Sequence, residues 1–247
     1  MIIDFHVYIG KSMVEGELSK EELLRSMEEN KIDMSVLCPV KTMDSSYREQ
    51  NAWVAELVKV APDKFAGYCR VDPNTREVGL EVFRRGMEEQ GLKGMLLHPW
   101  EDSYTVNDSR VFPYVELAAR YKVPVMIETG YPWLCHCFQV GDVAERYPEV
   151  QFIMTHGGQV DSSGFSQADA DRVIANCPNI ITETSGMFSD ETIENMANTM
   201  GAQSLLFGSH SPWLDVRLEL YRIQRAHISE EKKAEILGGN ARRLLGI

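Results

Sequence analysis

Residues 123–130 read VPVMIETG and residues 150–158 read VQFIMTHGG, with the stretch VGDVAERYP at 140–148 between them. The apolar part of each outer stretch is nearly continuous, which is typical of parallel strands covered on both faces. The stretch between them has the amphipathic spacing of a helix. This order of strand, helix and strand predicts a unit of a parallel α/β sheet with right-handed crossovers.

The same alternation runs from one end of the chain to the other. IIDFHVYI at 2–9 precedes SKEELLRSMEENK at 19–31, in which Ser19 and Glu22 predict a capping box. Eight strand–helix pairs in a chain of 247 residues predict an α/β fold of the (β/α)₈ TIM-barrel type. A doubly wound open sheet is the rival, but HVYIGKS lacks the Gly-rich fingerprint of its first turn. We find no linker or composition break, so residues 1–247 are predicted to form a single domain.

Composition and charge limit the classes of partner. The formal net charge is −12, whereas nucleic-acid binding depends on clustered Lys and Arg. No basic amphipathic stretch or apolar run of about 18 residues points to a membrane. The chain starts directly with a strand, and its five cysteines lack a regular spacing. These features predict a cytoplasmic protein that acts on a small molecule, with a homodimer left open.

Polar residues gather where the predicted strands end. Active sites of barrels lie at the carboxyl ends of the strands. Arg70 and Glu128 end the third and fifth strands, and Thr182 or Glu183 ends the seventh. Five of the six histidines lie at or just past strand ends: His6, His98, His136, His156 and His210. Five imidazoles at one rim predict a functional site there.

The chain resembles the amidohydrolase superfamily, in the branch of aminocarboxymuconate-semialdehyde decarboxylase-like enzymes and related small metal-dependent hydrolases. The resemblance is carried in order by IIDFHVYIG, GMLLHP, VPVMIETG, FIMTHGG, LLFGSHSPW and the closing ILGGNARRLLGI. It implies a distorted barrel with a metal at its mouth. The family's usual ligands are an HxH pair on the first strand, a His ending the fifth and an Asp ending the eighth. A His ending the sixth strand, here His156, serves as catalytic acid or base.

Three positions depart from that family pattern. Tyr8 stands where the second His of the pair is usual, Glu128 where the fifth-strand His is usual, and His210 where Asp is usual. The last two changes are reciprocal, so His6, Glu128 and His210 still sum to two imidazoles and one carboxylate. That set suits one divalent metal, zinc first and manganese or iron as alternatives. The competing interpretation is a metal-free pocket in which Glu128 and His210 form a hydrogen-bonded pair.

Other rim residues are candidates for substrate binding. The phenol of Tyr8 could bind substrate or a metal-bound water, or it could only close the pocket. The guanidinium of Arg70 could pair with a substrate carboxylate, or with a neighbouring acid such as Asp72. The remaining candidates are a histidine that supports the pocket and three tryptophans that form an apolar wall: His98, Trp100, Trp133 and Trp213.

The sequence CHC at 135–137 is a further motif of interest. Closely spaced thiolates bind soft metals, but one such pair without a partner pair is a weak signal. The alternative is a loop with buried thiols.

Several functions fit this set of residues. The leading hypothesis is a metal-dependent hydrolase of a lactone, amide or ester of a small carboxylic acid, with His156 moving the proton. A non-oxidative decarboxylase could use the same site. A metal-free, lactonase-like enzyme and a non-catalytic barrel that binds a metabolite are the remaining alternatives, since one fold supports many chemistries.

Overall fold

The computed structural model describes residues 1–14, 16–159, 164–187 and 189–247. All strand pairs except the β1–β2 hairpin are parallel. Within the described ranges the strands are β1 Ile3–Lys11, β2 Glu17–Leu18, β3 Met34–Pro39, β4 Phe65–Gly67, β5 Cys69–Val71, β6 Met95–Leu97, β7 Val125–Ile127, β8 Phe152–Met154, β9 Ile180–Glu183 and β10 Leu205–Leu206.

A helix follows each barrel strand and covers the outside of the sheet. Within the same ranges the helices are α1 Lys20–Asn30, α2 Arg48–Val60, α3 Glu77–Glu88, α4 Phe112–Tyr121, α5 Cys137–Arg146, α6 Gly164–Asn176, α7 Asp190–Met196, α8 Val216–Arg225, α9 Glu230–Ala234 and α10 Asn240–Leu245. The capping box predicted at Ser19 and Glu22 begins α1 and is confirmed. Every helix in the described part of the chain is too short or too polar to span a bilayer.

The strands close into a barrel. One run of paired strands has the order β2-β1-β3-β4, and the other has the order β10-β9-β8-β7-β6-β5. The amide of Tyr68, between β4 and β5, bonds to Leu37 O, so these two short strands occupy one barrel position. At the opposite seam the amide of Phe5 bonds to Phe207 O and that of Tyr8 bonds to Ser211 O. The eight positions confirm the predicted (β/α)₈ barrel.

Two apolar layers hold the barrel together. The interior layer is built from alternate strand residues such as Phe5, Leu96 and Ile153, and the outer layer lies between strands and helices. Helix α10 closes the amino-terminal end through Ala241, which belongs to the interior layer. The side-chain amide of Asn240 anchors that helix by donating to the carbonyls of Ala202 and Leu205 at 2.7 and 2.6 Å.

An irregularity in β1 sets the direction of its polar side chains. The register with β3 shifts between Asp4 and Val7, so the segment containing Phe5 and His6 carries one extra residue. Such bulges re-aim side chains next to functional sites. Phe5 and Tyr8, which are three residues apart, consequently both belong to the interior layer. The ring of His6 lies 5.2 Å from that of Tyr8.

Candidate active site

Glu128 lies at the centre of a buried polar cluster at the carboxyl end of the barrel. Its Oε1 accepts a hydrogen bond of 2.7 Å from the phenol of Tyr8 and lies 2.7 Å from Nε2 of His6. Its Oε2 accepts a bond of 3.0 Å from the hydroxyl of Thr155 and lies 2.9 Å from Nε2 of His156. One carboxylate thus connects β1 with the ends of β7 and β8, and His6 lies within β1 (Ile3–Lys11) instead of ending it as predicted.

A second buried carboxylate, Glu183 at the end of β9, supports the two histidines. Its Oε2 lies 3.2 Å from Nδ1 of His6 and accepts a bond of 3.4 Å from the amide of His156. The amide and the hydroxyl of Ser185 donate to the same carboxylate at 2.6 and 2.9 Å. Because Glu183 receives Nδ1 of His6, Nε2 of that ring is directed towards Glu128.

The ring of His210 completes the cluster. It stacks on His6 with a centroid distance of 4.5 Å and an interplanar angle of 14°. The ring of His156 lies 4.7 Å away on another side. Burial, together with the positive charge of His6, lowers the pKa of His210 to about 3. His210 is therefore a neutral imidazole, the form that binds metal ions.

Opposite charges shift the pKa values of the other two histidines and of both carboxylates. Burial alone would lower the pKa of His6 and His156, but the charge of Glu128 outweighs it and raises the pKa of both rings. Burial alone would raise the pKa of Glu128, but His6 and His156 hold it well below its usual range. The pKa of Glu183 is also lowered, chiefly by His6 once burial is overcome. The two carboxylates and the two imidazole rings therefore favour one another's charged forms.

Backbone strain accompanies two of these histidines. His156 has φ of 58° and His210 has φ of 52°, both in the left-handed region that non-glycine residues seldom occupy. Strain of this kind costs of order 1–3 kcal/mol per residue and concentrates at functional sites. Gly157 and Gly158 continue the same turn with φ of 63° and 81°, where a side chain would clash with Met187 and Met154.

Three side chains of the cluster form a candidate metal centre. One ligand atom each from His6, Glu128 and His210 lies within 4.8 Å of the others, and all three residues are buried. Among the described residues no second group of three such side chains has this geometry. Two imidazoles and one carboxylate suit zinc, manganese or iron. The structure thus brings together the three residues selected from the sequence, with His156 beside them.

A cavity of about 230 Å³ opens above this cluster. An engineered apolar cavity of roughly 150 Å³ already accommodates benzene, so the space suits a single-ring molecule. The rings of Trp100 and Tyr131 stack on one wall at 4.9 Å and 25°. The described lining consists of Trp100, Glu128, Thr129, Tyr131, His156, Gln159, Gly186, His210, Trp213 and Leu214.

Arg70 does not line this cavity, contrary to its predicted role in substrate binding. Its guanidinium is fully buried and pairs through Nη2 with Glu101 at 2.5 Å and with Asp102 at 3.2 Å. The partners differ from the predicted Asp72, but the alternative of a salt bridge to a rim acid is the correct one. The positive charge of Arg70 is therefore balanced by two acidic residues within the barrel wall.

Three other candidates also lie outside the described lining of the cavity. Tyr8 is one of them, and its phenol donates to Glu128 instead. Trp133 is 85% exposed and lies on the loop between β7 and α5, outside the described lining. His98 is buried behind the wall, with its ring 5.7 Å from that of Trp100 and 6.0 Å from that of Tyr8. Its Nε2 lies 3.5 Å from Glu101. His98 therefore supports the pocket without facing it, whereas Trp100 and Trp213 line it as predicted.

The CHC motif forms the start of a helix. The imidazole of His136 accepts a bond of 3.3 Å from the amide of Phe138 and so caps α5. Both Cys135 and Cys137 are buried, and burial raises the pKa of each thiol to about 12. Protonated thiols are poor metal ligands. These features favour the alternative of a structural loop over a soft-metal site.

Ser185 and Thr155 contribute to the cluster although the sequence assigned them no role, and Glu183 contributes although it was a candidate only as a polar residue at a strand end. A signal was present: the strand at 180–183 is followed by Thr184 and Ser185, so ETS is a polar run at a strand end. What the sequence did not indicate is that this run lies beneath His6 and His156.

Comparison with known proteins identifies a matching family and similar sequences. The family model described as amidohydrolase matches residues 19–247. The 2-amino-3-carboxymuconate-6-semialdehyde decarboxylase of Dictyostelium discoideum is 21% identical over 296 aligned positions, covering 96% of this chain and 82% of the relative. The gamma-resorcylate decarboxylase of Rhodococcus jostii is 21% identical over 244 positions, covering 78% of this chain and 74% of the relative.

A solved structure of similar fold carries a metal and an aromatic acid. The 5-carboxyvanillate decarboxylase of Novosphingobium aromaticivorans, complexed with manganese and 4-hydroxy-3-methoxy-5-nitrobenzoic acid, superimposes with a TM-score of 0.80 at 13% identity. The match covers 100% of this chain and 96% of the other. At this identity the similarity shows a shared fold.

Proposed function

The chain belongs to the amidohydrolase family, and on that premise we propose that it is a metal-dependent, non-oxidative decarboxylase of a small aromatic carboxylic acid. The observation that carries the proposal is the convergence of His6, Glu128 and His210 within 4.8 Å below a single-ring cavity. The relatives named above are decarboxylases. They favour the decarboxylase alternative over the hydrolase that the sequence suggested first.

The chemistry of the donor set fits one divalent cation. Imidazole nitrogens and a carboxylate oxygen are available from three residues, which leaves further positions for substrate. Glu128 and Glu183 together place two negative charges in a buried region, and a divalent cation bound to His6 would take over from the proton of that ring in balancing them. The manganese of the 5-carboxyvanillate enzyme makes Mn²⁺ the first ion to test, ahead of the zinc expected from the sequence.

The bound cation would supply a Lewis acid that orients an acidic substrate and stabilises the negative charge developing as CO₂ leaves. The protein itself supplies the proton. Nδ1 of His156 lies 3.0 Å from the carbonyl of Ser185, so that Nε2 faces Glu128 and the cavity. We assign His156 the role of general acid.

The reaction then balances without an oxidant. The bond between the ring carbon and the carboxylate carbon breaks, and its electron pair stays on the ring carbon. The proton from Nε2 of His156 forms the new C–H bond, and CO₂ is released. Solvent reprotonates His156 before the next turnover.

The walls of the cavity select and shield the substrate. The stacked pair of Trp100 and Tyr131 offers a flat apolar surface against which an aromatic ring can lie. Trp213 and Leu214 cover the side next to His210. Excluding water strengthens the electrostatic interactions at the reacting carbon.

The proposal is tested by metal reconstitution. The protein is stripped with a chelator and reloaded with Mn²⁺ or Zn²⁺, and CO₂ release is measured from a panel of hydroxybenzoates. In parallel, acid release is measured from lactones and esters of similar size. We expect metal-dependent CO₂ release and no hydrolysis. Metal-loaded protein that hydrolyses a lactone and releases no CO₂ would reject decarboxylation in favour of hydrolysis.

A further inference from the structure

Apart from His156 in the catalytic cluster, the cavity wall carries no positive side chain among the described residues. The other polar side chains of the wall are neutral: Thr129, Tyr131, Gln159 and the indoles of Trp100 and Trp213. The sequence positions outside the described ranges hold no Lys or Arg either. A substrate anion that faces this wall would therefore find no side-chain cation to pair with.

The cations at the neighbouring strand ends are already paired. Nζ of Lys41, beyond β3, lies 2.5 Å from Oδ1 of Asp102. Arg70, on β5, pairs with Glu101 and with the other oxygen of Asp102. Two positive charges thus meet two negative charges within the barrel wall. Recruiting either cation for substrate would remove a charge partner from a buried carboxylate, which is unfavourable.

Two of the neutral polar groups of the wall, Thr129 and Gln159, present acceptors. The hydroxyl of Thr129 donates to the carbonyl of Ile127 at 2.7 Å, so its oxygen lone pairs remain for the ligand. The amide nitrogen of Gln159 donates to Oε1 of Gln167. That bond orients the carboxamide, whose oxygen can accept. A phenolic O–H can donate a hydrogen bond to such acceptors. A carboxylate has no proton to donate, so its oxygens and the acceptor oxygens of the wall would repel one another.

From these observations we infer that the substrate carries a single carboxylate, with hydroxyl groups elsewhere on the ring, and that aromatic dicarboxylates are excluded. The inference rests on the proposed function and deepens it. The one carboxylate is held at the metal centre beside His156. A second carboxylate would face Trp100, Tyr131 and neutral acceptors, and burying an ion without a partner costs affinity.

The test compares two ligands that differ by one carboxylate. Binding of 2-hydroxybenzoate and of 2-hydroxybenzene-1,3-dicarboxylate to the Mn²⁺-loaded His156→Asn protein is measured by isothermal titration calorimetry, with turnover suppressed. We expect the dicarboxylate to bind at least about tenfold more weakly. Equal or tighter binding of the dicarboxylate would overturn the inference while leaving decarboxylation intact. If neither acid binds and the wild-type protein releases no CO₂, the inference falls together with the proposed function.

Two charge-insertion variants make the test sharper. Gln159→Arg places a cation on the wall and should improve dicarboxylate binding at least about tenfold relative to the monocarboxylate. If Gln159→Arg fails to fold, Leu214→Arg places a cation at another position of the cavity wall. Gln159→Met is the matched control, because it removes the acceptor without adding charge and should leave the dicarboxylate excluded. If a folded, metal-loaded Arg variant gives no gain, the absence of a cation is not what excludes the dicarboxylate, and the inference is wrong.

Discussion

Replacing Glu183 by Gln tests whether this buried carboxylate adjusts the metal affinity of the centre. Glu183 is fully buried and receives Nδ1 of His6 at 3.2 Å. A carboxylate in this position makes the opposite nitrogen, Nε2, a stronger ligand. Ser185 and His156 donate to the same group, so an amide NH₂ introduced there would face at least one donor. The substitution therefore removes the negative charge and also disrupts the hydrogen bonds that Glu183 accepts.

The magnitude follows from these contacts. A hydrogen bond to a charged group contributes about 1.5–3 kcal/mol. Since about 1.4 kcal/mol is tenfold in affinity, Glu183→Gln should weaken Mn²⁺ binding by about 10–100-fold. The affinity is measured by competition with a chelator, and thermal unfolding of the metal-free variant confirms that it is folded.

A matched control is available nearby. Glu219 of α8 is also buried and accepts a bond of 3.1 Å from the amide of Gly186, without contacting His6. Glu219→Gln should leave Mn²⁺ affinity within about twofold. An unchanged affinity in Glu183→Gln, or an equal loss in both variants, would refute the reasoning, because the effect would then not depend on contact with His6.

Three further outcomes are expected. His156→Asn should lower CO₂ release by about 10²–10⁴-fold with Mn²⁺ content retained, and a loss of metal would make His156 a ligand instead. Glu128→His and His210→Asp should each lower the metal content, whereas the double variant should bind more metal than the two single losses together predict. Metal analysis of the wild-type protein and the three variants tests this. Losses that simply add would contradict the idea that Glu128 and His210 have exchanged ligand types. Burial raises the pKa of Glu219 from 4.5 to about 7, so the folded protein holds that proton and loses stability as pH rises from about 4.5 to 7. Relative to Glu219→Gln, the wild-type protein should therefore lose about 3 kcal/mol or less between pH 5 and pH 8 in urea unfolding; an equal difference at both pH values would show that Glu219 does not titrate this way.

The fold was predictable because the alternation of strand and helix patterns repeats along the whole sequence. Continuous apolar stretches such as 123–127 and 150–154 are typical of strands buried on both faces, and eight strand–helix pairs in series favour a closed barrel of parallel strands. The same geometry explains why Glu128, His156 and His210 meet, because they follow carboxyl strand ends that share one rim. His6 reaches them from within β1, which runs on past the rim to Lys11. Their residue types then indicate a metal centre before any contact is known.

Other features depend on contacts between distant segments. Arg70 looked available because its strand position is right, but its acids, Glu101 and Asp102, lie in a loop 31 and 32 residues further along the chain. Trp133 belongs to a long loop whose path no local pattern specifies. Hydrolysis and decarboxylation were also inseparable, because both use a metal centre with one proton donor.

The most direct test of the account is decarboxylation in heavy water. Mn²⁺-loaded protein is incubated with a hydroxybenzoate in D₂O, and the products are analysed by mass spectrometry and NMR. The account predicts CO₂ in equal amount to the aromatic product, one deuterium on the carbon that lost the carboxylate, and loss of the reaction after chelation with recovery on adding Mn²⁺. CO₂ release that is unaffected by complete metal removal, or a product without deuterium at that carbon, would contradict the metal centre and the proton transfer on which the account rests.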